Sequence, residues 1–302
     1  MKRILVTGSN GLLGQKLTDL YLTKTDKELI ATGTGPNRHP VKSGYSYSQL
    51  DITNEAEVHE VITKYQPHCV INTAAMTNVD ACESDKTGCD KLNVMAVQFL
   101  TAACNQVNAH LIHLSTDFIF DGTAGPYAED AAPNPLSYYG HSKLKGEQII
   151  MSQAKHWSIA RTVLVYGLVA DMSRSNIVLW AKDALSKGNP INVVDDQFRT
   201  PTLAEDLAMG CFLIEDKEAE GIFNISGKDL MSIYELVERV ARYFGLPMDT
   251  VSRIKSDTLN QPARRPPFTG FKLDKARQIL GYEPHSFEEG ISILMQQLKA
   301  QA

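Results

Sequence analysis

The stretch VTGSNGLLG, residues 6–14, decides the fold of this chain. It follows the short apolar run RILVT (3–7) and opens the helical pattern LLGQKLTDLYLTK (12–24). A short apolar run is typical of a strand buried on both faces, and glycines at a strand-to-helix turn let backbone amides approach a pyrophosphate. The pattern therefore predicts a dinucleotide-binding turn. The residues of this turn that we expect to contact the cofactor are Gly8, Asn10, Gly11, Leu12, Leu13 and Gly14.

The alternative interpretation of this glycine spacing is a turn that only starts a helix and binds no ligand. The motif directly follows the first strand, and this position favours cofactor binding. Strand and helix patterns continue to alternate as far as Gly167. Such alternation predicts an α/β fold with a doubly wound, parallel (Rossmann) sheet. The further predicted strands are ELIATG (28–33), CVINTAA (69–75), HLIHLST (110–116) and SIARTVLVYG (158–167), and the further predicted helices are residues 55–66 and 89–107.

After Gly167 the alternation loosens, which predicts a second, smaller α/β lobe for substrate binding. The predicted elements here are the helices 176–188, 204–215 and 232–245 and the strand 221–226. We assign residues 1–167 and 201–224 to the dinucleotide-binding Rossmann domain, and residues 168–200 and 225–302 to the substrate-binding lobe.

Charge and cysteine content narrow the class of protein. The 302 residues carry a net charge of −5, which offers no bulk attraction to nucleic acid or to an anionic membrane. The five cysteines are odd in number and lack CxxC spacing, so we expect no disulfide framework and no metal site, and a reducing cytoplasm fits. The first apolar run ends at Gly8, too early for a signal peptide or a membrane span.

The segment after the second strand, ATGTGPNRHP (31–40), bears on the choice of cofactor. It lacks the acid that holds the ribose hydroxyls of NAD, but it contains Arg38, whose guanidinium suits a 2′-phosphate. We therefore expect NADP(H), with NAD(H) possible, while a solvated Arg38 without a ligand is the alternative. The other residues expected beside the cofactor are Asp51 and Ile52 at the adenine, and Ala74, Ala75 and Met76 at the end of a later strand.

Two nearby motifs, STDFIFDG (115–122) and SYYGHSK (137–143), predict a proton-transfer site. Tyr139 and Lys143 are four residues apart, so in a helix phenol and ammonium lie on one face. A free phenol has a pKa near ~10, and a neighbouring cation lowers that pKa. Thr116 ends a strand, where open α/β sheets bind ligands, and its hydroxyl would orient the reacting carbonyl. A packed surface tyrosine near a solvated lysine is the alternative.

The chain resembles the extended short-chain dehydrogenase/reductase family in three features: the glycine turn, the threonine at a strand end and the Tyr-x-x-x-Lys motif. Further motifs resemble the dTDP-4-dehydrorhamnose reductases within it, along nearly the whole chain and most specifically over residues 112–208. These motifs are PYAED (126–130), YYGHSKLKGE (138–147), RTVLVYG (161–167) and VVDDQFRTPTLAEDLA (193–208).

The resemblance implies that NADPH reduces the C4 keto group of a 6-deoxy sugar attached to a nucleoside diphosphate. Thr116, Tyr139 and Lys143 would be the catalytic residues, with Tyr139 as proton donor, and Tyr139 and Lys143 would also contact the cofactor. Thr116 and Asp117 would contact the sugar. Arg199, Arg264 and Arg265 are the candidates for the diphosphate, with plain surface charge as the alternative. A homodimer is the family expectation.

The chain departs from the reductase pattern at Leu164, where many members have Trp, and at Arg199, which replaces a glycine. Three other functions on this fold remain open. A 4,6-dehydratase typically has Glu where this chain has Phe118, and an epimerase needs tightly held NAD. The third is a regulatory subunit of methionine adenosyltransferase, which binds NADP without catalysis. Outside the motifs, we expect His113 to be a core histidine.

Overall fold

The structure is a computed structural model that describes residues 1–170 and 176–301. Residues 171–175, within the predicted lobe segment 168–200, and residue 302 lie outside the described residues. The described strands, in chain order, are β1 (Lys2–Thr7), β2 (Lys27–Gly33), β3 (Ser46–Gln49), β4 (Cys69–Asn72), β5 (His110–Thr116), β6 (Trp157–Thr162), β7 (Val165–Tyr166), β8 (Ile191–Val194), β9 (Phe198–Arg199), β10 (Thr202–Leu203), β11 (Gly221–Asn224), β12 (Met231–Ser232) and β13 (Val251–Ile254).

The helices over the same residues connect these strands. They are α1 (Leu12–Leu22), α2 (Glu55–Tyr65), α3 (Val79–Ser84), α4 (Lys86–Asp90), α5 (Ala96–Val107), α6 (Tyr138–Gln153), α7 (Ile177–Ser186), α8 (Ala204–Asp216), α9 (Ile233–Phe244) and α10 (Phe287–Gln301). Two π-helical segments, Lys91–Met95 and Ala276–Leu280, and two short 3₁₀ turns, Asp117–Ile119 and Ser256–Thr258, complete the described elements.

The central sheet confirms the predicted fold class. Within the described part of the chain it has seven strands in the order β11-β6-β5-β4-β1-β2-β3. All neighbouring pairs are parallel. The strand order reverses between β1 and β4, and a doubly wound sheet binds ligands at the carboxyl ends of its strands beside this switch point.

The sheet is covered on both faces because its central strands carry consecutive apolar residues. In β1, Ile4 and Val6 belong to one buried cluster, together with Leu17 of α1 and Leu207 of α8. Leu5, between them, belongs to the opposite cluster, with residues of α2 and α5. Successive side chains of a strand point to opposite faces, so a continuous apolar run packs against helices on both sides.

A third buried cluster lies among residues after β6. It contains Tyr166, Val178 of α7, Leu236 of α9 and Leu294 of α10. The short pairs β8–β13 and β9–β12 lie outside the central sheet. The division into a Rossmann domain and a substrate-binding lobe, with the boundaries given above, stays a prediction.

The predicted strand 158–167 is wrong in its second half. The strand β6 ends at Thr162, and Leu164 adopts a left-handed backbone with φ of 38°. The chain then leaves the central sheet, and β7 pairs with β10 instead. A positive φ is unusual for a branched residue, and such a backbone occurs where surrounding structure imposes it, often at functional sites.

The predicted helix 89–107 is also interrupted. A π-helical segment, Lys91–Met95, separates α4 from α5. The extra residue per turn of a π-segment rotates the following side chains, and such segments are frequent at functional sites. Here Asn93 lies within the segment and is buried.

Membrane-spanning helices and metal-ligand clusters do not occur in the parts of the chain described above. None of these helices combines the length and hydropathy that crossing a membrane requires. Among the same residues, no group of three His, Cys, Asp or Glu side chains is close enough together to hold a metal ion. The five cysteines are all buried and unpaired by disulfides.

Candidate active site

A crevice of about 740 Å³ opens at the carboxyl ends of the central strands. It brings together most of the residues predicted from the sequence. Those that line it are Gly8, Asn10, Gly11, Leu12, Leu13, Arg38, Asp51, Ile52, Ala74, Ala75, Thr116, Asp117, Tyr139 and Lys143. Gly14 and Met76 do not line it.

Each glycine of the first turn is required for a different structural reason. Gly8 has a φ of +65°, and a Cβ there would lie 2.9 Å from Ala74 N. A Cβ on Gly14 would lie 2.4 Å from the carbonyl oxygen of Gly8, so Gly14 lets α1 pack against the turn. Gly11 is the N-cap of α1 and supplies no side-chain cap, which leaves backbone N–H groups of the helix start available to an anion.

Met76 is held away from the crevice by the π-helical segment. Its backbone N–H donates to Asn93 Oδ1 at 2.9 Å, and its carbonyl accepts from Asn93 Nδ2 at 3.0 Å. The same Nδ2 lies 3.0 Å from Ser142 Oγ on α6. The side chain of Met76 packs against the buried cluster of Cys82, Cys89 and Tyr139. Asn93 therefore ties the β4 end of the crevice to the helix that carries Tyr139.

Thr116, Tyr139 and Lys143 converge on one wall of the crevice. Thr116 ends β5, and its Oγ1 donates to Asp117 Oδ1 at 3.2 Å while accepting from Phe118 N at 3.2 Å. Tyr139 lies in the first turn of α6, lines the crevice together with Thr116 and meets the Phe118 ring edge to face at 5.7 Å. Ser137 starts α6 by accepting from Gly140 N, which fixes the direction of the helix.

Burial dominates the electrostatics of this wall. Desolvation raises the pKa of the Tyr139 phenol well above its usual value, and the nearby Thr116 hydroxyl offsets part of that rise. We expected Lys143 to lower this pKa, and the structure differs because burial of the ring outweighs its neighbours. Burial also lowers the pKa of Lys143 to about 8. Tyr139 therefore carries its proton at neutral pH.

Lys143 bonds to strand β5 rather than to the phenol. Its Nζ donates to Leu114 O at 2.6 Å and lies 3.1 Å from His113 Nε2. On the other side of the ring, His113 Nδ1 lies 3.0 Å from Asn72 Nδ2, and Asn72 Oδ1 accepts from Thr7 Oγ1 at 2.6 Å. This buried polar chain crosses three strands, from the residue before Gly8 to the predicted catalytic lysine. Burial lowers the pKa of His113 well below its usual value.

A second cavity of about 320 Å³ adjoins the crevice. Asp117, Phe118 and Leu164 line both spaces and form the boundary between them. The left-handed backbone of Leu164 thus lies at this boundary. The remaining lining includes Ile177, Trp180, Asn192, Gln197, Arg199, Gln261 and Arg265.

Arg199 lines this cavity, but its guanidinium is already bonded within the protein. Nη1 donates to Phe198 O at 2.7 Å, Nη2 donates to Pro266 O at 2.7 Å, and Nε lies 3.6 Å from Asp117 Oδ2. Asp117 is 2% exposed and also accepts from Thr269. This placement favours a structural role for Arg199 over the predicted contact with a diphosphate.

Arg265 is similarly paired. Its two terminal nitrogens bond to the two oxygens of Asp80 on α3, at 3.2 and 2.7 Å. The bond to Arg265 holds the pKa of Asp80 below its usual value. A bidentate pair of this kind fixes the guanidinium plane. Contact between Arg265 and substrate stays a prediction.

Sequence reasoning missed Asn93 and gave His113 no role beyond the core. The spacing around Asn93 is ordinary helix, so no local signal marks the π-segment. His113 did carry a signal, because it lies three residues before Thr116 in a buried strand, where a polar side chain needs a partner.

The family model described as RmlD substrate binding domain matches residues 1–300. The chain belongs to the RmlD substrate binding domain family. This membership covers nearly the whole chain, including the glycine turn and the Thr116–Tyr139–Lys143 wall.

Among the curated relatives of this RmlD family chain are a subunit of methionine adenosyltransferase and a reductase. It is 31% identical to methionine adenosyltransferase 2 subunit beta of Xenopus tropicalis, over 91% of this chain and 82% of that protein. It is 29% identical to dTDP-4-dehydrorhamnose reductase of Aggregatibacter actinomycetemcomitans, over 96% of this chain and 97% of that protein.

Solved structures share the fold of this RmlD family chain. A dTDP-4-dehydrorhamnose reductase of Clostridium acetobutylicum superposes with a TM-score of 0.85 at 29% identity, covering 98% of this chain and 99% of that one. The dTDP-4-dehydrorhamnose reductase of Bacillus anthracis in complex with NADP has a TM-score of 0.83 at 26% identity, covering 98% and 100%.

Proposed function

We propose that the chain is an NADPH-dependent reductase of the C4 keto group of a nucleotide-activated 6-deoxy sugar. The observation that carries the proposal is that Thr116, Tyr139 and Lys143 line the same crevice as the glycine turn. A dinucleotide-binding turn and a buried, protonated phenol in one space provide the two elements that carbonyl reduction requires. The reductase relatives support this choice.

The residues of the turn fit a dinucleotide. Gly8 and Gly11 place no side chain in front of the start of α1, where no side chain caps the first N–H groups of the helix. Arg38 lines the crevice, and its guanidinium makes no hydrogen bond or ion pair with any described residue. An unpaired guanidinium at this position suits the 2′-phosphate of NADP, whereas the absence of an acid after β2 disfavours an NAD-dependent epimerase. NADPH, when bound, supplies the hydride.

The residues on the wall of the crevice deliver the proton. Tyr139 donates its proton to the oxygen of the reduced carbonyl, so that the added hydride and this proton convert C=O to CH–OH. The Thr116 hydroxyl hydrogen-bonds the same oxygen and orients it. Lys143, whose Nζ is positioned by Leu114 O and His113, holds the nicotinamide ribose through its ammonium group.

The nucleotide part of the substrate would occupy the second cavity. This cavity joins the crevice at Asp117 and Leu164, so a sugar at the boundary has access to Tyr139. Trp180 and Asn192 line it and offer an aromatic face and an amide to a base. The predicted homodimer stays part of this proposal.

A spectrophotometric screen tests the proposed reaction. Purified chain with NADPH is mixed with several nucleoside-diphosphate-4-keto-6-deoxy sugars, and absorbance of the reduced cofactor is followed. We expect steady oxidation of NADPH with at least one of them, faster than with NADH, and a product reduced at C4. No oxidation with any keto-sugar nucleotide would contradict the reductase assignment.

A second candidate is a non-catalytic, NADP-binding regulatory subunit of methionine adenosyltransferase. It is favoured by the beta-subunit relative, whose identity of 31% is close to that of the reductases. The reductase and the regulatory subunit predict different results with NADPH. A regulatory subunit would bind NADPH without consuming it and would co-purify with, and alter the kinetics of, a methionine adenosyltransferase from the same organism.

A further inference from the structure

The side chain of Asn10 leaves the glycine turn and enters the loop that carries Arg38. Its Oδ1 accepts from the backbone N–H of Arg38 at 2.8 Å. Its Nδ2 donates to Pro36 O at 3.1 Å and to Tyr47 Oη at 3.2 Å. One amide therefore joins the turn after β1, the loop after β2 and the strand β3.

Tyr47 completes this connection from the far side. Its hydroxyl donates to Gly35 O at 2.9 Å, so the phenol both accepts from Asn10 and holds the loop. Tyr47 is half-buried and does not line the crevice, whereas Asn10 and Arg38 do. The pKa of the Tyr47 phenol is raised by burial and partly lowered by Asn10 and Arg38, which fits its closeness to both.

The residue after Arg38 is anchored as well. His39 is buried, with Nε2 3.0 Å from Asp19 Oδ1 on α1 and Nδ1 3.0 Å from Val41 O. The backbone of Arg38 is thus fixed on both sides, and its side chain is the part left to meet a ligand.

We propose that Asn10 and Tyr47 are positioning residues that set the choice between a 2′-phosphate and a 2′-hydroxyl dinucleotide. They act by holding the backbone of Arg38 at a fixed distance from the glycine turn. An arginine on a fixed loop loses little conformational entropy when it binds a ligand. Its contact with a 2′-phosphate is therefore stronger than that of an arginine on a mobile loop. Tyr47 therefore affects the selectivity for the 2′-phosphate although it does not contact the cofactor.

The inference rests on the proposed dinucleotide site, and its test needs no turnover. Calorimetry on the full chain compares adenosine 2′,5′-bisphosphate with adenosine 5′-monophosphate, and the ratio of the two affinities is the readout. This ratio isolates the 2′-phosphate, and a general loss of folded protein would not change it.

The variants are Tyr47→Phe, Asn10→Ala and Arg38→Ala, with Tyr65→Phe on α2 as the matched control. We expect Arg38→Ala to abolish the preference for the bisphosphate. Tyr47→Phe removes the hydrogen bonds to Asn10 and to Gly35 O. A single hydrogen bond contributes about 0.5–1.5 kcal/mol, which corresponds to a factor of roughly two to thirteen, so we expect the variant to reduce the ratio at least twofold. Asn10→Ala should reduce it at least as much, and Tyr65→Phe should leave it unchanged.

The positioning role and the cofactor assignment fail in different ways. A Tyr47→Phe protein with the full preference, beside an Arg38→Ala protein that has lost it, overturns the positioning role and leaves the cofactor assignment standing. A wild-type chain without preference, unchanged by Arg38→Ala, overturns the NADP assignment and the positioning role together.

Discussion

The Nζ atom of Lys143 lies 3.1 Å from Nε2 of His113, and both side chains are buried. An ammonium can only donate, so a charged Lys143 requires Nε2 without a proton, and the neutral imidazole then carries its proton on Nδ1. Nδ1 faces the amide of Asn72 at 3.0 Å, and the two ends of an amide exchange by a half-turn. A charged Lys143 therefore requires the Asn72 amide in the reverse of the orientation described above, with its oxygen toward His113 and its nitrogen toward Thr7 Oγ1.

The tautomer of His113 is the first prediction. Burial lowers the pKa of Lys143 to about 8, so below that pH the ammonium form should hold His113 as the Nδ1–H tautomer. Nitrogen-15 NMR of histidine-labelled protein distinguishes the two tautomers, and His113→Gln assigns the signal. The ring should stay neutral as the pH falls through its usual range near ~6.5, because burial lowers its pKa. A proton on Nε2, or a normal titration, would contradict this network.

The binding of NADPH should depend on the charge of Lys143. The ammonium is the form that donates to ribose hydroxyls, and it is lost as the pH rises through about 8. Affinity for NADPH, measured by fluorescence titration, should therefore be constant at lower pH and fall above about pH 8. Lys143→Met should bind more weakly at all pH values and lose this dependence. An identical pH dependence in the variant would exclude Lys143 as its source.

Arg199 should matter more for stability than for ligand binding. Arg199→Gln leaves the Asp117 carboxylate buried without its cation, and breaking a buried pair typically costs about 3–5 kcal/mol of unfolding free energy. Denaturant unfolding measures the loss. Affinity for a nucleoside diphosphate, measured by calorimetry on the folded variant, should change little.

Two further variants control this result. Lys27→Gln breaks the buried pair Lys27–Glu215, whose atoms are 3.0 Å apart and which does not line either cavity, and should lower stability similarly. Adding Asp117→Asn to Arg199→Gln removes the unpaired charge and should recover part of the loss. A stable Arg199→Gln protein with greatly weakened diphosphate binding would instead restore the predicted ligand role.

The sequence predicted the parts of the fold and site that local pattern determines. Gly8, Gly14 and the apolar run before them are required by a tight turn between a buried strand and a helix, whatever surrounds it. Tyr139 and Lys143 share a helix face because they are four residues apart in α6.

Other features depend on contacts distant in sequence. Nothing near Leu164 predicts its left-handed backbone, which lies where the chain leaves β6 and continues into β7, the partner of β10. Arg199 has the side chain of a phosphate ligand, but Pro266 O, 67 residues away, uses one of its donors. The effect of Lys143 on Tyr139 was predicted from charge alone, and burial of the phenol decides its pKa.

The account depends most on Tyr139 as the proton donor. The decisive measurement is NADPH oxidation in the presence of a 4-keto-6-deoxy nucleotide sugar, for the wild-type chain and for Tyr139→Phe, with NADPH affinity measured in parallel. We predict that the variant binds NADPH as the wild type does and loses turnover by roughly 10²-fold or more, the usual contribution of a general acid. Full turnover in Tyr139→Phe would contradict the account.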